Sequence, residues 1–171
     1  MRSPKSTKSR HAPSKASSRD GIEIRSARGS DFDALLRLIR AYYRFDHIAF
    51  VATTMRPALR AMMRDESLGR IWIADDRRRA AGYAILTYNW DIEFGGLQGI
   101  LTDLYLRANY RGLGIGKRII ETVEKFCAKH GISTLELQVE RDNKPAQAFY
   151  RSLGFSRLTR IVMTRDIPIR R

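Results

Sequence analysis

Three glycines fall within five positions in Arg111-Gly112-Leu113-Gly114-Ile115-Gly116-Lys117, between an apolar run that reads as a strand and an amphipathic stretch that reads as a helix. Few features restrict a chain more. Glycine lets the backbone enter left-handed turns and removes the Cβ that would shield its N–H groups. Where such a turn opens a helix, free N–H groups and the positive end of the helix dipole converge, which makes a cradle for an anion, with a diphosphate as its natural guest. Arg111 and Lys117 add positive charge at the rim. The spacing excludes two other phosphate loops. A Walker loop needs glycine where Arg111 stands and Ser or Thr where Arg118 stands. A dinucleotide fingerprint needs a small residue at Lys117 or Ile119, depending on its start.

Around this turn the hydrophobic pattern alternates between the two periods of regular structure. Residues 22–25 read as a short strand. Phe32, Leu35, Leu36, Ile39, Tyr42 and Tyr43 mark one face of a helix, and a second helix is expected over 54–65. Residues 70–74 and 81–88 read as a hairpin across the charged turn 75–79, and 98–106 as a further strand. Ile119, Ile120, Val123, Phe126 and Cys127 line a helix that Gly131 ends. A strand over 134–139, a short helix over 143–153 and a last strand over 158–164 complete the order. This is a mixed α/β sheet with helices on its faces.

Charge and composition narrow the class. The 171 residues carry 32 Lys and Arg against 18 Asp and Glu, a formal charge of +14. Residues 1–19 hold six of the bases and no acid, which leaves +8 on 20–171. Residues 1–20, rich in Ser, Lys and Arg, bury too little to offset ordering entropy and read as a disordered basic tail ahead of one domain over 21–171. A field this positive attracts polyanions in general, so a nucleic-acid-binding module stands as an alternative of another class. No apolar run approaches the roughly 20 residues of a membrane span. One cysteine, Cys127, and three scattered histidines offer neither a disulfide framework nor a metal-ligand spacing. A cytoplasmic, metal-free protein is the expectation.

The loop also fits Arg-x-x-Gly-x-Gly, and there the chain resembles the GNAT superfamily of acetyl-CoA-dependent N-acetyltransferases. Leu101-Thr102-Asp103-Leu104-Tyr105-Leu106 looks like that superfamily's fourth strand, and Asn143-x-x-Ala146-x-x-Phe149-Tyr150-x-x-x-Gly154-Phe155 like its second signature segment. The resemblance implies a largely antiparallel sheet of six to seven strands, a parallel splayed pair in its middle and about four helices. It implies acetyl-CoA as co-substrate and no metal. The pyrophosphate would rest on the amides of Arg111, Gly112, Leu113, Gly114, Ile115, Gly116 and Lys117. Backbone groups of Leu104, Tyr105 and Leu106 would hold the pantetheine, aided by Asn143, which also suits a helix cap. An N–H of the fourth strand, that of Leu104, would stabilise the oxyanion of a tetrahedral intermediate.

In the same resemblance Tyr150 would protonate the departing thiolate. A general base is required, because an alkyl amine with a pKa near 10.4 is mostly protonated at neutral pH. Asp103 is the first candidate, with Asp91 and Glu93 as alternatives acting through water. The polyamine acetyltransferases, which this stretch resembles, carry a second acid where Thr102 stands. The acceptor therefore stays open among polyamines, amino acids and antibiotic-like amines, with protein N-termini or lysines as the alternative. A non-catalytic acyl-CoA-binding protein is a third reading. Acceptor selection is expected from Tyr42, Tyr43, Phe45, Asp46, His47, Trp90 and Asp91, whose aromatic and acidic mix suits a cation. The family often forms dimers, which leaves a homodimer open as partner.

Overall fold

A computed structural model describes residues 21–168; the proposed tail 1–20 lies outside them. The chain divides into two compact units between Gln138 and Val139.

In the first unit the elements run β1 (Ile22–Ser26), α1 (Phe32–Phe45), α2 (Ala52–Arg64), β2 (Gly69–Asp76), β3 (Arg79–Asp91), β4 (Gly96–Leu106), α3 (Ile115–Lys129) and β5 (Thr134–Leu137). The strands form one sheet in the order β1-β2-β3-β4-β5. All neighbours are antiparallel except β4 and β5, which are parallel and joined through α3. The β2–β3 hairpin closes more tightly than its charged stretch implies, because pairing runs on to Asp76 and Arg79. Arg77 and Arg78 make the turn with φ of 49° and 73°. Two successive positive φ values match the right-handed twist of the flanking strands.

Alternation along β2 divides the core between the two faces of the sheet. Ile71 and Ile73 face α1 and α2, joining Leu35, Leu38, Ile39, Leu59, Tyr83 and Ile85. Trp72 faces the other way, its ring 5.3 Å from that of Phe126 on α3. Ile115, Ile119, Ile120, Val123 and Cys127 form the buried stripe of that helix. Arg25 of β1 is shared by two carboxylates, Asp31 at 2.7 Å and Asp75 on β2 at 2.8 Å. The hydrogen bond from Arg25, above all, holds the Asp31 carboxyl below its ordinary range. Because that folded-state pKa is lowered, its stabilising effect is present above the unfolded value and is lost as pH falls through the folded one. Arg25→Met is therefore expected to cost about 3 kcal/mol at neutral pH. Urea unfolding should show the deficit shrinking in acid; an unchanged midpoint at neutral pH would contradict it.

The second unit contains α4 (Lys144–Ser152), preceded by Asn143, whose side-chain oxygen accepts the N–H of Ala146 at 3.1 Å. The expected last strand is absent among the described residues, so the sheet has five strands rather than six to seven. Residues 158–164 are irregular, and Leu158, Ile161, Val162 and Met163 are exposed. Their β-favouring composition reports only a fit to a half-buried pleated surface. Among the described residues they join no sheet, and three consecutive apolar residues cannot all face one side.

Candidate active site

The site is built where β4 changes character. Up to Leu101 it pairs with β5, ending at Leu101 opposite Leu137. On its other edge the β3 register shifts at the same place, Leu86 facing Leu101 but Ile85 facing Asp103. Thr102 is thus the extra residue of a β-bulge, and its hydroxyl donates to the Ile85 carbonyl at 3.4 Å. A one-residue insertion reverses the facing of everything beyond it. Gly99 faces the α3 side, where a Cβ would meet Leu86, Ile132 and Leu135, and Leu101 two residues on is buried with it. Strict alternation would send Asp103 there too. The bulge turns it onto the α1 face instead, beside Tyr83.

There Tyr83, fully buried, donates its hydroxyl to Asp103 Oδ2 at 2.7 Å. Burial raises the Asp103 pKa above the usual carboxylate range, opposed by the Tyr83 bond and reinforced by Asp46. Burial and the neighbouring Asp103 charge push the Tyr83 phenol far up, so it remains a donor. Among the described residues Tyr83 is the hydrogen-bonding partner of Asp103, which leaves Oδ1 for an incoming N–H.

Aromatic rings complete the surround. Tyr105 lies 6.3 Å from Tyr83 and 5.9 Å from Tyr42 between ring centres, and Tyr42 lies 5.7 Å from Tyr43. The Tyr42 hydroxyl donates to Asp46 Oδ2 at 3.3 Å. His47 at φ 57° ends α1, and Ile48 N–H returns to the Tyr43 carbonyl at 2.8 Å, the bond of a Schellman cap. That cap fixes Asp46 at the mouth of the group. Two carboxylates among tyrosine faces suit a compact cation.

Asp91 and Glu93 do not join this group. Asp91 pairs with Gly96 at the tip of the β3–β4 hairpin and accepts the Glu93 N–H at 2.9 Å. The run from Gly96 to Asp103 puts that tip about 20 Å along the strand from Asp103. Trp90 shares the hairpin tip and is 75% exposed. Cys127 is buried, its thiol pushed up to about 11 by burial, and is therefore no nucleophile.

Beyond β4, Tyr110 is buried and donates its hydroxyl to Asp76 Oδ2 at 2.8 Å, pinning the start of the glycine turn to β2. Gly112 and Gly114 sit at φ 71° and 79°, and an added Cβ at either meets nothing within 4 Å. Gly114 caps α3, and the Arg118 N–H returns to its carbonyl at 3.2 Å. Among the described residues the N–H groups of Gly112 through Lys117 are not taken by backbone acceptors. Among the described residues these donors are available to an anion, as those of a helix's first turn ordinarily are. Lys117 lies 3.8 Å from Glu121 on the same helix. The Arg107 N–H donates to Ala81 on β3, so by alternation the N–H groups of Leu106 and Leu104 point to the opposite edge, where β5 has stopped. A glycine turn with available donors ahead of a strand edge that β5 leaves uncovered beyond Leu101 could hold a long phosphorylated thioester.

The family model for the acetyltransferase (GNAT) family matches residues 32–155. The chain belongs to the GNAT acetyltransferase family. This GNAT acetyltransferase is 30% identical over 147 residues to a thialysine N-epsilon-acetyltransferase of Bos taurus, covering 81% of the chain and 86% of the relative. An uncharacterised N-acetyltransferase of Bacillus subtilis is 27% identical, with 82% and 94% covered. Among solved structures, an integron cassette protein from a salt-marsh metagenome matches with a TM-score of 0.75 at 27% identity, covering 85% of this chain and 91% of its own. An aminoglycoside N-acetyltransferase in complex with CoA matches with a TM-score of 0.75 at 16% identity, covering 85% and 94%, and shows the shared fold.

Tyr83 is the residue that sequence reasoning missed. A tyrosine inside the apolar run 81–86 reads as core, yet a buried phenol needs a hydrogen-bond partner, and that requirement was the available signal. In the second unit Tyr150 packs against Phe149 and Phe155, with ring centres 5.1 and 5.6 Å away, and burial pushes its phenol up to about 12.

Proposed function

We propose that this GNAT enzyme transfers the acetyl group of acetyl-CoA to the primary amine of a small cationic acceptor, in the polyamine, amino-acid or antibiotic-like class. The observation that carries this reading is Asp103, turned by the Thr102 bulge onto the α1 face and held there by Tyr83. The amides of Gly112 to Lys117 would hold the pyrophosphate, and the edge of β4 from Leu104 to Leu106 the pantetheine. When bound, the cofactor supplies an activated thioester.

The chain's own groups do the rest. An ammonium entering among Tyr42, Tyr43 and Tyr105 meets Asp46 and Asp103. Asp103 Oδ1 accepts its proton, a transfer eased by the raised pKa of that carboxyl. The amine lone pair is then free to attack the carbonyl carbon while the Leu104 N–H receives the charge developing on oxygen.

Tyr150 is assigned to the departing sulfur on its place in the signature segment. A phenol at about 12 holds its proton at neutral pH. Full transfer to a thiolate of pKa near 8.5 would be uphill by about 5 kcal/mol. Tyr150 therefore acts first as a hydrogen-bond donor to the growing sulfur charge. Tyr150→Phe is expected to lower kcat by roughly 10²-fold with cofactor affinity nearly intact. Stopped-flow turnover beside calorimetric titration of CoA measures both, and a large affinity loss would make Tyr150 structural instead.

The reading as a whole is tested by thiol release from acetyl-CoA with spermidine, amino acids, an aminoglycoside and peptides as acceptors. Turnover with at least one small amine is the expected result. Turnover on peptides alone would move the acceptor to proteins.

A further inference from the structure

We propose that Arg111, the first residue of the glycine motif, positions the amine acceptor and does not hold the cofactor's phosphates. This inference rests on the acceptor reading above. The opening arginine of such a loop invites assignment as a phosphate ligand. Its surroundings here say otherwise. The Arg111 Nε–H donates to the Leu106 carbonyl at 2.8 Å, and its backbone N–H donates to Ala108 at 3.2 Å. Its guanidinium carbon lies 4.4 Å from the ring centre of Phe45 and 5.5 Å from that of Tyr105. The side chain is committed to the end of β4 and the end of α1.

Those are the two ends that carry the acceptor group. Phe45 is the last residue of α1 and Asp46 follows it. Tyr105 touches both Tyr42 and Tyr83, whose hydroxyls hold Asp46 and Asp103. Arg111 is thus the clasp that keeps α1 against β4 and sets the gap between the two carboxylates. A guanidinium can donate to the end of the strand while standing over two rings, a geometry a lysine ammonium cannot copy. Phe45 remains 53% exposed although the guanidinium covers it, as expected for a joint at the rim of a site.

The experiment measures two affinities in each variant: CoA by calorimetry, and the best amine of the acceptor panel both by KM and by calorimetry with CoA present. Arg111→Lys and Arg111→Met are expected to raise the amine KM roughly tenfold, with the CoA dissociation constant within about twofold. Phe45→Leu, made on the opposite partner, should give the same signature, and the double variant should be no worse than either single one. Phe45→Tyr should restore the parent values, because it keeps an aromatic face. CoA affinity falling tenfold or more with amine KM unchanged would make Arg111 a phosphate ligand and overturn the proposal. Equal loss of both affinities, or loss of neither, overturns it as well. If the parent chain releases no thiol with any amine, the acetyltransferase reading falls first, and that is visible before any variant is compared.

Discussion

Replacing Asp103 with asparagine is expected to lower kcat at neutral pH by about 10²–10³-fold without weakening the fold. Two opposite consequences come from one cause. Burial raises the Asp103 pKa, which makes the carboxylate a better base for an ammonium proton. A carboxyl with a raised folded-state pKa contributes stability that is fully present below its unfolded value, near 3.9, and lost as pH rises through the folded one. At neutral pH the ionised group is therefore a burden on the native state. Asparagine resembles the protonated form and can still accept the Tyr83 hydroxyl. Urea midpoints should be equal to or above the parent's near neutrality and should lose part of their pH dependence. The turnover deficit should narrow towards alkaline pH, because solvent then supplies the neutral amine. A variant whose kcat stays within a few-fold of the parent at neutral pH would remove Asp103 as the base.

Gly114→Glu is expected to weaken acetyl-CoA binding by more than about 10³-fold. Two effects add. The residue has φ 79°, where a non-glycine side chain costs roughly 1–2 kcal/mol. The added carboxylate would also stand at the N-terminus of α3 among the donors of Gly112 to Lys117, competing with the diphosphate proposed to bind there. Gly114→Asn separates the contributions, since asparagine tolerates left-handed backbone and brings no charge. Calorimetry should place Asn between the parent and Glu. Full cofactor affinity in the Glu variant would mean that the diphosphate binds elsewhere.

Much of this arrangement is legible in the residues. Gly112 and Gly114 announce the turn, while Gly116 falls inside α3, and Asn143 announces the cap that its side chain makes with Ala146. The β2–β3 hairpin and the α3 stripe follow from period alone. What escaped are effects that depend on a neighbour. The Thr102 bulge leaves no trace in 98–106, whose composition suits an uninterrupted strand, because a bulge is a property of two strands and not of one. Tyr83 reads as core until its hydroxyl is seen to meet Asp103, 20 residues away. Arg111 reads as a mobile charge beside a phosphate loop, and only the end of α1 shows where its guanidinium rests. Asp91 and Glu93 follow Trp90 closely in sequence, yet hairpin pairing carries them to the tip and away from Asp103. The segment 158–164 has strand chemistry and is nonetheless irregular.

The extra residue at Thr102 divides one strand into two halves with independent duties. Gly99 and Leu101 before it are committed to packing on the α3 side, while Asp103 and Tyr105 after it turn to the α1 face, where the acceptor is proposed to bind. A substitution at 105 can then alter the surround of Asp103 without disturbing the scaffold at 99 and 101. Were Thr102 drawn into regular pairing instead of bulging, Asp103 would turn to the α3 side and leave Tyr83, so the pairing of β4 with β3 at this joint is under tighter constraint than the composition of the strand.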